Sequence, residues 1–341
     1  MHQDSIKNNI QEIMLSYREK AYFCDAVVSV FNKDEVFFTL PFGDANENTL
    51  FDVASLTKIA TSTLILLSIN EGHISLDDKI LDLIPDLLAF PDIVYRLEHT
   101  KLENLLTHTS GLPDWYPFYT SNEDFYYVLN KSISLPFEEG MVYSDLNFML
   151  LGLLLEKIYN APLDNILSSR LAIPYKLGKI CYLPKDRTNI APSSYGNPIE
   201  EEMCRELGLS FNNWRKHEPL IGEVNDGNAH YYFKGVSGHA GIFSDISAYV
   251  KLAQLYLNSD DELLNSSMLE HTPSRGLSWQ LGERYPKGCG HTGFTGTSIY
   301  LSKKLNIGCV IFTNRLFFKT RNTKPIDDVR LSVHKVIVDN M

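Results

Sequence analysis

The sequence places a serine hydroxyl and a lysine amine three residues apart, in Ser55-Leu56-Thr57-Lys58, at the start of an apolar segment. Residues at i and i+3 share one face of a helix, so the Lys58 amine can reach Ser55 Oγ. A serine hydroxyl is a weak nucleophile at neutral pH, and a neighbouring lysine whose pKa is lowered by burial can accept its proton. The pattern therefore predicts a nucleophilic serine with a lysine base at the amino end of a helix, where backbone amides can stabilise an oxyanion.

The same spacing occurs again at Ser332 and Lys335. One such pattern is expected about once by chance in a chain of this length, so the spacing alone decides nothing. No polar motif follows the second copy, and we interpret it as part of a solvated helix face.

Two further polar motifs follow the first copy in order, one directly before an apolar helix and one on a predicted strand: Tyr143-Ser144-Asp145 and His291-Thr292-Gly293. The elements Ser-x-x-Lys, Ser-Asp-Asn and Lys-Thr-Gly follow one another in this order in β-lactamases and penicillin-binding proteins. The order of the three motifs, rather than any one of them, indicates that the first Ser-x-x-Lys is catalytic.

With these motifs the chain resembles the group of class C β-lactamases, carboxypeptidases and family VIII esterases, in which Tyr-x-Asn and Lys/His-Thr-Gly are the second and third elements. The resemblance runs from about residue 50 to 315 and includes FDVASLTK, LLTHTSGL, GVSGHAGIFSD, GHTGFTGTSIYLS and IFTNR. GEVNDGNA and VSGHAGIFS most resemble a subgroup related to the exo-acting N-acetylmuramoyl-L-alanine amidases of cell-wall recycling. That subgroup usually has His-Asp where this chain has Asn225-Asp226, which weakens any transfer of substrate specificity.

The resemblance and the chemistry together assign roles to the residues. Ser55 would attack the carbonyl carbon, while Lys58 and Tyr143 act as general base and then general acid. The backbone amides of Ser55 and of Phe294, on the strand after the third motif, would form the oxyanion hole.

The same resemblance implies substrate contacts from Asp145, His239, His291, Thr292 and Gly293. Gly293 would let the substrate backbone approach closely. His291 stands where penicillin-recognising members commonly have lysine. Because a neutral imidazole binds a carboxylate more weakly than an ammonium group does, this position favours substrates other than penicillins.

Several alternatives remain open. Tyr195-Gly196-Asn197 is a literal Tyr-x-Asn and competes for the role of Tyr143, although no apolar helix follows it. Ser144 could instead supply the second-motif side chain. His108 is interpreted as a structural residue, hydrogen-bonded to a loop.

Metal and cofactor chemistry is not expected. Asp226 and His230 could pair on a metal ion, but no third ligand is apparent in the sequence, so neither a metal site nor a cofactor is predicted. The five cysteines include no CxxC pair, which argues against a disulfide framework and a structural zinc site.

The elements that must position these residues indicate a mixed α/β (α+β) fold. The amino-terminal part has a helical pattern at 5–20 and a hairpin of strands at 26–31 and 36–40; the carboxy-terminal part has strands at 291–293, 298–301 and 307–312 and a helix at 326–338. One antiparallel sheet from both ends, flanked by helices, with a mostly helical inserted domain, follows from this order. We expect a sheet domain at 1–60 plus 236–341 and an inserted domain at 61–235, whose loop-rich stretch 183–235 faces the substrate.

Charge and hydropathy exclude other classes of protein. The net charge of −11 would repel nucleic-acid phosphates, and no basic run offsets it. The charged amino-terminal segment lacks the apolar stretch of a secretion signal, and no apolar segment is long enough for membrane insertion. A cytoplasmic location is therefore expected, while the oligomeric state is left open.

The leading interpretation is a serine hydrolase that cleaves an amide or peptide bond in a small-molecule or muropeptide substrate through an acyl-enzyme on Ser55. The alternatives are a carboxylesterase, a β-lactamase or D-alanyl-D-alanine carboxypeptidase, and a catalytically silent binding or sensor protein.

Overall fold

Strands from both ends of the chain form one five-stranded antiparallel sheet in the computed structural model, which describes residues 3–134 and 140–340. The strands are β1 (Ala26–Phe31), β2 (Val36–Phe42), β3 (Phe51–Asp52), β4 (Ile180–Tyr182), β5 (Ile242–Ser244), β6 (Cys289–Thr292), β7 (Ser298–Ser302) and β8 (Ile307–Thr313). The large sheet has the order β2-β1-β8-β7-β6, and a second antiparallel sheet has the order β3-β5-β4.

The α-helices within the described ranges are α1 (Gln3–Glu19), α2 (Thr57–Asn70), α3 (Ile80–Leu83), α4 (Pro91–Leu97), α5 (Leu102–Leu106), α6 (Phe125–Ser132), α7 (Asp145–Tyr159), α8 (Leu163–Ile166), α9 (Pro198–Glu206), α10 (Ile246–Asn258), α11 (Glu262–Ser267) and α12 (Asp327–Asp339). Helices α1 and α12 pack together on one face of the large sheet, and α10 packs on the other.

The large sheet is covered on both faces because its strands are apolar on both sides. Val28 and Val30 of β1 belong to the core beneath α1 and α12, whereas Val27 and Phe31 belong to the core beneath α10. Alternation along a strand sends these pairs to opposite faces. The predicted mixed fold, with an antiparallel sheet from both ends of the chain, is confirmed.

Residues with strong local preferences lie at the ends of several elements. Asp245 caps α10 by accepting a hydrogen bond from the Ala248 amide, and Asn160 ends α7 in the left-handed conformation. The stretch 183–235 is less irregular than expected, because it contains α9. Pro198 is the first residue of that helix, a position where its fixed φ and missing N–H cost nothing.

The expected division into two domains stays a prediction. Residue 60, the expected boundary, lies inside α2. One continuous hydrophobic core joins sheet residues such as Val27 and Val310 to residues of the helical part such as Leu105 and Leu150.

All five cysteines are free thiols. Across 3–134 and 140–340, none of the helices combines the length and the apolar character needed to cross a membrane.

Candidate active site

Ser55 lies in a single helical turn, Ala54–Leu56, that leads directly into α2. Ala54 has a φ of 48°, a left-handed conformation that is costly for a residue with a side chain. Its amide donates to Asp52 Oδ1 at 2.8 Å, and the Asn225 amide donates to Asp52 Oδ2 at 2.6 Å. The buried Asp52 carboxylate therefore fixes the strained turn that presents the nucleophile, a role that the sequence analysis missed.

Lys58 is fully buried in the first turn of α2, where its ammonium group meets the nucleophile, a backbone carbonyl and a carboxylate. It donates to Ser55 Oγ at 3.0 Å and to the His239 carbonyl oxygen at 3.1 Å, and it lies 2.7 Å from Asp145 Oδ1. The predicted reach from Lys58 to Ser55 is therefore present in the structure.

The expectation that burial lowers the Lys58 pKa is wrong in its sign. Burial is the largest single influence and disfavours the ammonium form, but Asp145 and Tyr143 together outweigh it, and the pKa of Lys58 is raised above its ordinary value. The Asp145 carboxylate makes the largest contribution to this reversal, and an Asn at position 145 would carry no charge to make it.

Tyr143 completes this group from the turn before α7. Lys58 Nζ lies 5.0 Å from the centre of its ring, and the His108 ring packs against it at 4.6 Å. Burial raises the pKa of the Tyr143 phenol, the Lys58 ammonium opposes this, and hydrogen bonds with Lys58 and Ser55 also favour the phenolate. The net pKa lies above the ordinary value, so the phenol is neutral at neutral pH.

His108 supports the turn that carries Tyr143. Its Nδ1 accepts a hydrogen bond from the Ser144 amide at 3.0 Å, and it is buried. Burial and the nearby cations Arg275 and Lys58 hold the pKa of His108 well below its usual range, so the ring is neutral. This agrees with its interpretation as a structural residue bonded to a loop.

Ser144 and Tyr195, the other two candidates for the second-motif side chain, do not contact Lys58 among the described interactions. Ser144 is buried, and its hydroxyl donates to the Pro113 carbonyl oxygen at 2.5 Å. The Tyr195 ring stacks on Phe317 at 4.9 Å. Of the three candidates, the structure brings Tyr143 to Lys58.

The turn that begins with the third motif, His291-Thr292-Gly293, is hydrogen-bonded to the segment that precedes Ser55. Beyond the end of β6, Thr295 Oγ1 donates to the Asp52 carbonyl oxygen at 2.8 Å, and Thr297 Oγ1 donates to the Val53 carbonyl oxygen at 2.9 Å. A methyl group at position 293 would lie 2.6 Å from the same Val53 oxygen. Gly293 is therefore required for close packing within the protein. Its expected role in substrate approach stays a prediction.

Phe294 lies in the turn between β6 and β7, and not on a strand as predicted, because β6 already ends at Thr292. Its side chain is 44% exposed. Its backbone amide makes no hydrogen bond to the rest of the described chain. That N–H is therefore free to act as an oxyanion donor.

His291 is fully buried on β6 beside Tyr143, at 5.9 Å between ring centres. Its Nδ1 donates to the Thr292 carbonyl oxygen at 2.9 Å. Burial, helped by the charges of Lys58 and Arg275, holds its pKa well below its usual range. The position therefore carries no positive charge at neutral pH.

His239 contacts Lys58 through its backbone, while its ring is enclosed. The ring bonds Ser237 Oγ at 2.8 Å through Nδ1 and Asp226 Oδ1 at 2.9 Å through Nε2. Asp145, Asp226 and His239 each bring one potential ligand atom within 4.8 Å of the others. The sequence suggested His230 as the partner of Asp226; the structure puts His239 there.

The second Ser-x-x-Lys lies on α12, on the face that meets α1. Ser332 Oγ hydrogen-bonds Tyr17 at 3.0 Å, and Lys335 is exposed. Neither belongs to the group around Ser55.

Arg275 is a site residue that the sequence analysis missed. Its guanidinium carbon lies 5.5 Å from the centre of the Tyr143 ring, and the residue is only 7% exposed. It comes from an irregular loop, where no periodicity or motif signalled a role.

Two cavities adjoin the loops of the stretch 183–235. One of about 830 Å³ is mixed in character, with Tyr119, Phe211 and Tyr231 beside Arg187 and Glu223. A second of about 170 Å³ is mainly apolar and has Phe294 in its wall; its other wall residues include Tyr195, Leu316 and Phe318. Pockets that combine aromatic surface with a few polar groups suit small organic ligands.

Comparison with known proteins identifies relatives over most of the chain. The β-lactamase family model matches residues 17–331. The chain is 28% identical to an N-acetylmuramyl-L-alanine amidase of Bacillus subtilis (strain 168), over 78% of this chain and 68% of that protein. It is 27% identical to a Salmonella enteritidis PT4 protein that carries the provisional name D-alanyl-D-alanine carboxypeptidase, over 84% of this chain and 74% of that protein.

Solved structures share the fold at lower identity. The crystal structure of a β-lactamase from Sulfitobacter sp. EE-36 superposes with a TM-score of 0.75 at 18% identity and covers 100% of this chain and 99% of that one.

Proposed function

The chain belongs to the β-lactamase family of serine hydrolases, and on this premise we propose that it forms a covalent acyl-enzyme on Ser55 and cleaves an amide bond in muropeptide-like substrates. The observation that carries the proposal is the hydrogen bond of 3.0 Å from Lys58 Nζ to Ser55 Oγ, at a helix start that Tyr143 and the β6–β7 turn also adjoin. A hydroxyl in contact with a proton carrier, near free backbone donors, is the arrangement that acyl transfer needs.

The proposed reaction has two halves, acylation of Ser55 and hydrolysis of the acyl-enzyme. In each half the Lys58–Tyr143 pair accepts a proton from the nucleophile and then donates it to the leaving group. Ser55 Oγ attacks the carbonyl carbon and gives its proton to the Lys58–Tyr143 pair in its deprotonated form. The negative oxygen of the tetrahedral intermediate is held by the amides of Ser55 and Phe294. The pair then protonates the leaving nitrogen as the C–N bond breaks. Water attacks the ester in the same way, its proton passes through the pair to Ser55, and the acid is released.

Three observations support an amide in a cell-wall fragment over the alternatives. A relative that aligns with most of the chain is named an amidase. The neutral His291 supplies no charge for a penicillin carboxylate. The cavity that has Phe294 in its wall also offers the aromatic Tyr195 and the charged Arg321, groups that suit a ligand with both sugar and peptide parts.

The test is incubation with a defined set of muropeptides and a panel of short esters and β-lactams, with mass spectrometry of the products and of the intact protein. We expect a new amine and a new carboxylic acid from a muropeptide, and a transient mass increase on Ser55. Ser55→Ala should lower the rate by a factor on the order of 10⁴ or more and leave no adduct.

Other results identify the alternatives. Turnover of esters alone indicates a carboxylesterase, and turnover of β-lactams or release of D-alanine indicates the other two activities. Equal rates for wild type and Ser55→Ala on every substrate would refute acyl transfer and indicate a binding or sensor protein.

A further inference from the structure

Arg275 is a buried cation to which the described residues offer no anionic partner. Its guanidinium lies over the ring of Tyr143 at 5.5 Å, and the residue is 7% exposed. Within the described ranges Arg275 Nη1 has no hydrogen-bond partner, and no carboxylate there forms an ion pair with it. Burying an unpaired charge is costly, so a cation retained in this position calls for a functional reason.

The loop that carries Arg275 is attached to the third motif. Gln280 and Gly290 exchange both backbone hydrogen bonds, at 2.8 and 2.9 Å, so the loop joins the edge of β6 next to His291. Within the loop, the Arg275 amide donates to the Thr272 carbonyl oxygen at 2.9 Å, and its own carbonyl accepts from the His271 amide at 2.8 Å. These backbone bonds direct Arg275 towards Tyr143 without using its side chain.

The charged and titratable groups that face Tyr143 come from five elements: Lys58 on α2, Asp145 on α7, His108 after α5, His291 on β6 and Arg275. Both histidines are neutral. Asp145 lies 2.7 Å from Lys58 Nζ and offsets its charge. Arg275 is therefore the one cation of this group that no carboxylate of the described residues neutralises.

The geometry points to Arg275 as a positioning residue that supplies the fixed positive charge against Tyr143, in place of the ammonium group that a lysine at position 291 would supply. This inference rests on the proposed role of Tyr143 in proton transfer. A positive charge about 4–6 Å away stabilises a phenolate and shifts its titration by about 1–3 units. Arg275 would thereby add to the Lys58 ammonium in opposing the effect that burial has on the phenol.

The test follows the ionisation of Tyr143 directly. In protein that contains 3-fluorotyrosine, the ¹⁹F resonance of residue 143 is assigned by its loss in Tyr143→Phe, and its pH titration is compared between wild type, Arg275→Gln and Arg275→Met. We expect both substitutions to raise the titration midpoint by about 1 unit. Both variants lack the charge but differ in polarity, so the test survives if one of them fails to fold. Circular dichroism shows which of the two is folded.

Rescue and a matched control separate charge from structure. Arg275→Gln combined with His291→Lys should return the midpoint towards wild type, since the charge is restored on β6. Arg170→Gln removes a cation that lies 4.5 Å from the ring centre of Tyr159, outside the site, and should leave the Tyr143 midpoint unchanged. An unchanged midpoint in folded Arg275→Gln or Arg275→Met overturns the inference.

Kinetics add a second readout. On any substrate that wild type hydrolyses, Arg275→Gln should lower kcat/KM about three- to tenfold at neutral pH and less at alkaline pH. An equal loss at every pH would indicate a merely structural role. Because the ¹⁹F titration needs no substrate, failure of the proposed hydrolysis and failure of the Arg275 assignment give different results.

Discussion

Lys58 Nζ and Asp145 Oδ1 lie 2.7 Å apart, and the same ammonium group donates to Ser55 Oγ. One cation therefore serves both the nucleophile and a carboxylate. In the resting protein Lys58 is charged, Asp145 balances it, and the phenol of Tyr143 is neutral. The proton that must leave before Lys58 or Tyr143 can act as a base is held tightly, and several measurable consequences follow.

The first consequence is the pH dependence of the rate. The pKa values of Lys58 and Tyr143 are both raised, so the deprotonated pair that accepts the Ser55 proton becomes more abundant as pH rises towards alkaline values. We expect kcat/KM to increase from pH 5 through neutral and to be still increasing at pH 9. The measurement is a pH–rate profile with chemistry shown to be rate-limiting. A flat profile over that range would contradict the assignment of the base pair.

Asp145→Asn tests the carboxylate itself. Without its negative charge, the largest influence that opposes burial is lost and the pKa of Lys58 falls, so the rise in kcat/KM should begin at least about 1 unit lower in pH. Asp86→Asn removes the partner of the exposed Lys157 at 3.1 Å and serves as the matched control, with no shift expected. If Asp145→Asn and wild type have the same profile midpoint, Asp145 does not control the proton on Lys58.

Gly293→Ala tests the attachment of the third motif to the Ser55 segment. The added methyl group would lie 2.6 Å from the Val53 carbonyl oxygen, so the β6–β7 turn must move away from Ser55. Overpacking of this kind costs about 1–3 kcal/mol of unfolding free energy, measured by urea denaturation. We also expect a larger loss of kcat than Gly208→Ala causes, since Gly208 has open space around it and the strain of alanine at its φ of +67° arises outside the site. Full activity in Gly293→Ala would show that the turn does not need this contact.

Asp52 makes stability depend on pH. Burial raises the pKa of its carboxyl to about 6, against a usual value of 3.8, so the folded state binds the proton more tightly than the unfolded chain. Its contribution is fully present below pH 3.8 and is lost as pH rises through about 6. Relative to Asp52→Asn, wild type should therefore lose unfolding free energy between pH 4 and pH 7.5, by roughly 3 kcal/mol at most. Urea titrations of both proteins at the two pH values measure this difference, and a constant difference would contradict it.

Removal of metal ions should leave the rate unchanged. Asp145 and Asp226 could each offer an oxygen to a cation beside His239, but both already pair, with Lys58 at 2.7 Å and with His239 at 2.9 Å. We expect dialysis against EDTA to have no effect on kcat/KM. Loss of activity that added zinc restores would show instead that this cluster binds a catalytic ion.

The sequence by itself determined the order of the elements and the local geometry. The i and i+3 spacing of Ser55 and Lys58 brings them together because a helix dictates it. A nearly continuous apolar run such as Ala26–Phe31 indicates a strand that is covered on two faces. Caps such as Asp245 are equally local, since the side chain bonds an amide three residues away. Such features depend on neighbours within a few positions, which a sequence shows directly.

Only the tertiary structure decided the electrostatics of the site. The sign of the Lys58 shift depends on a carboxylate 87 positions along the chain, and the charge that faces Tyr143 comes from Arg275 in an irregular loop. Neither residue is related to its partner by a spacing along the chain that would indicate the contact. Coulomb energies depend on distance and burial in space, and both are set only when the sheet joins the two ends of the chain.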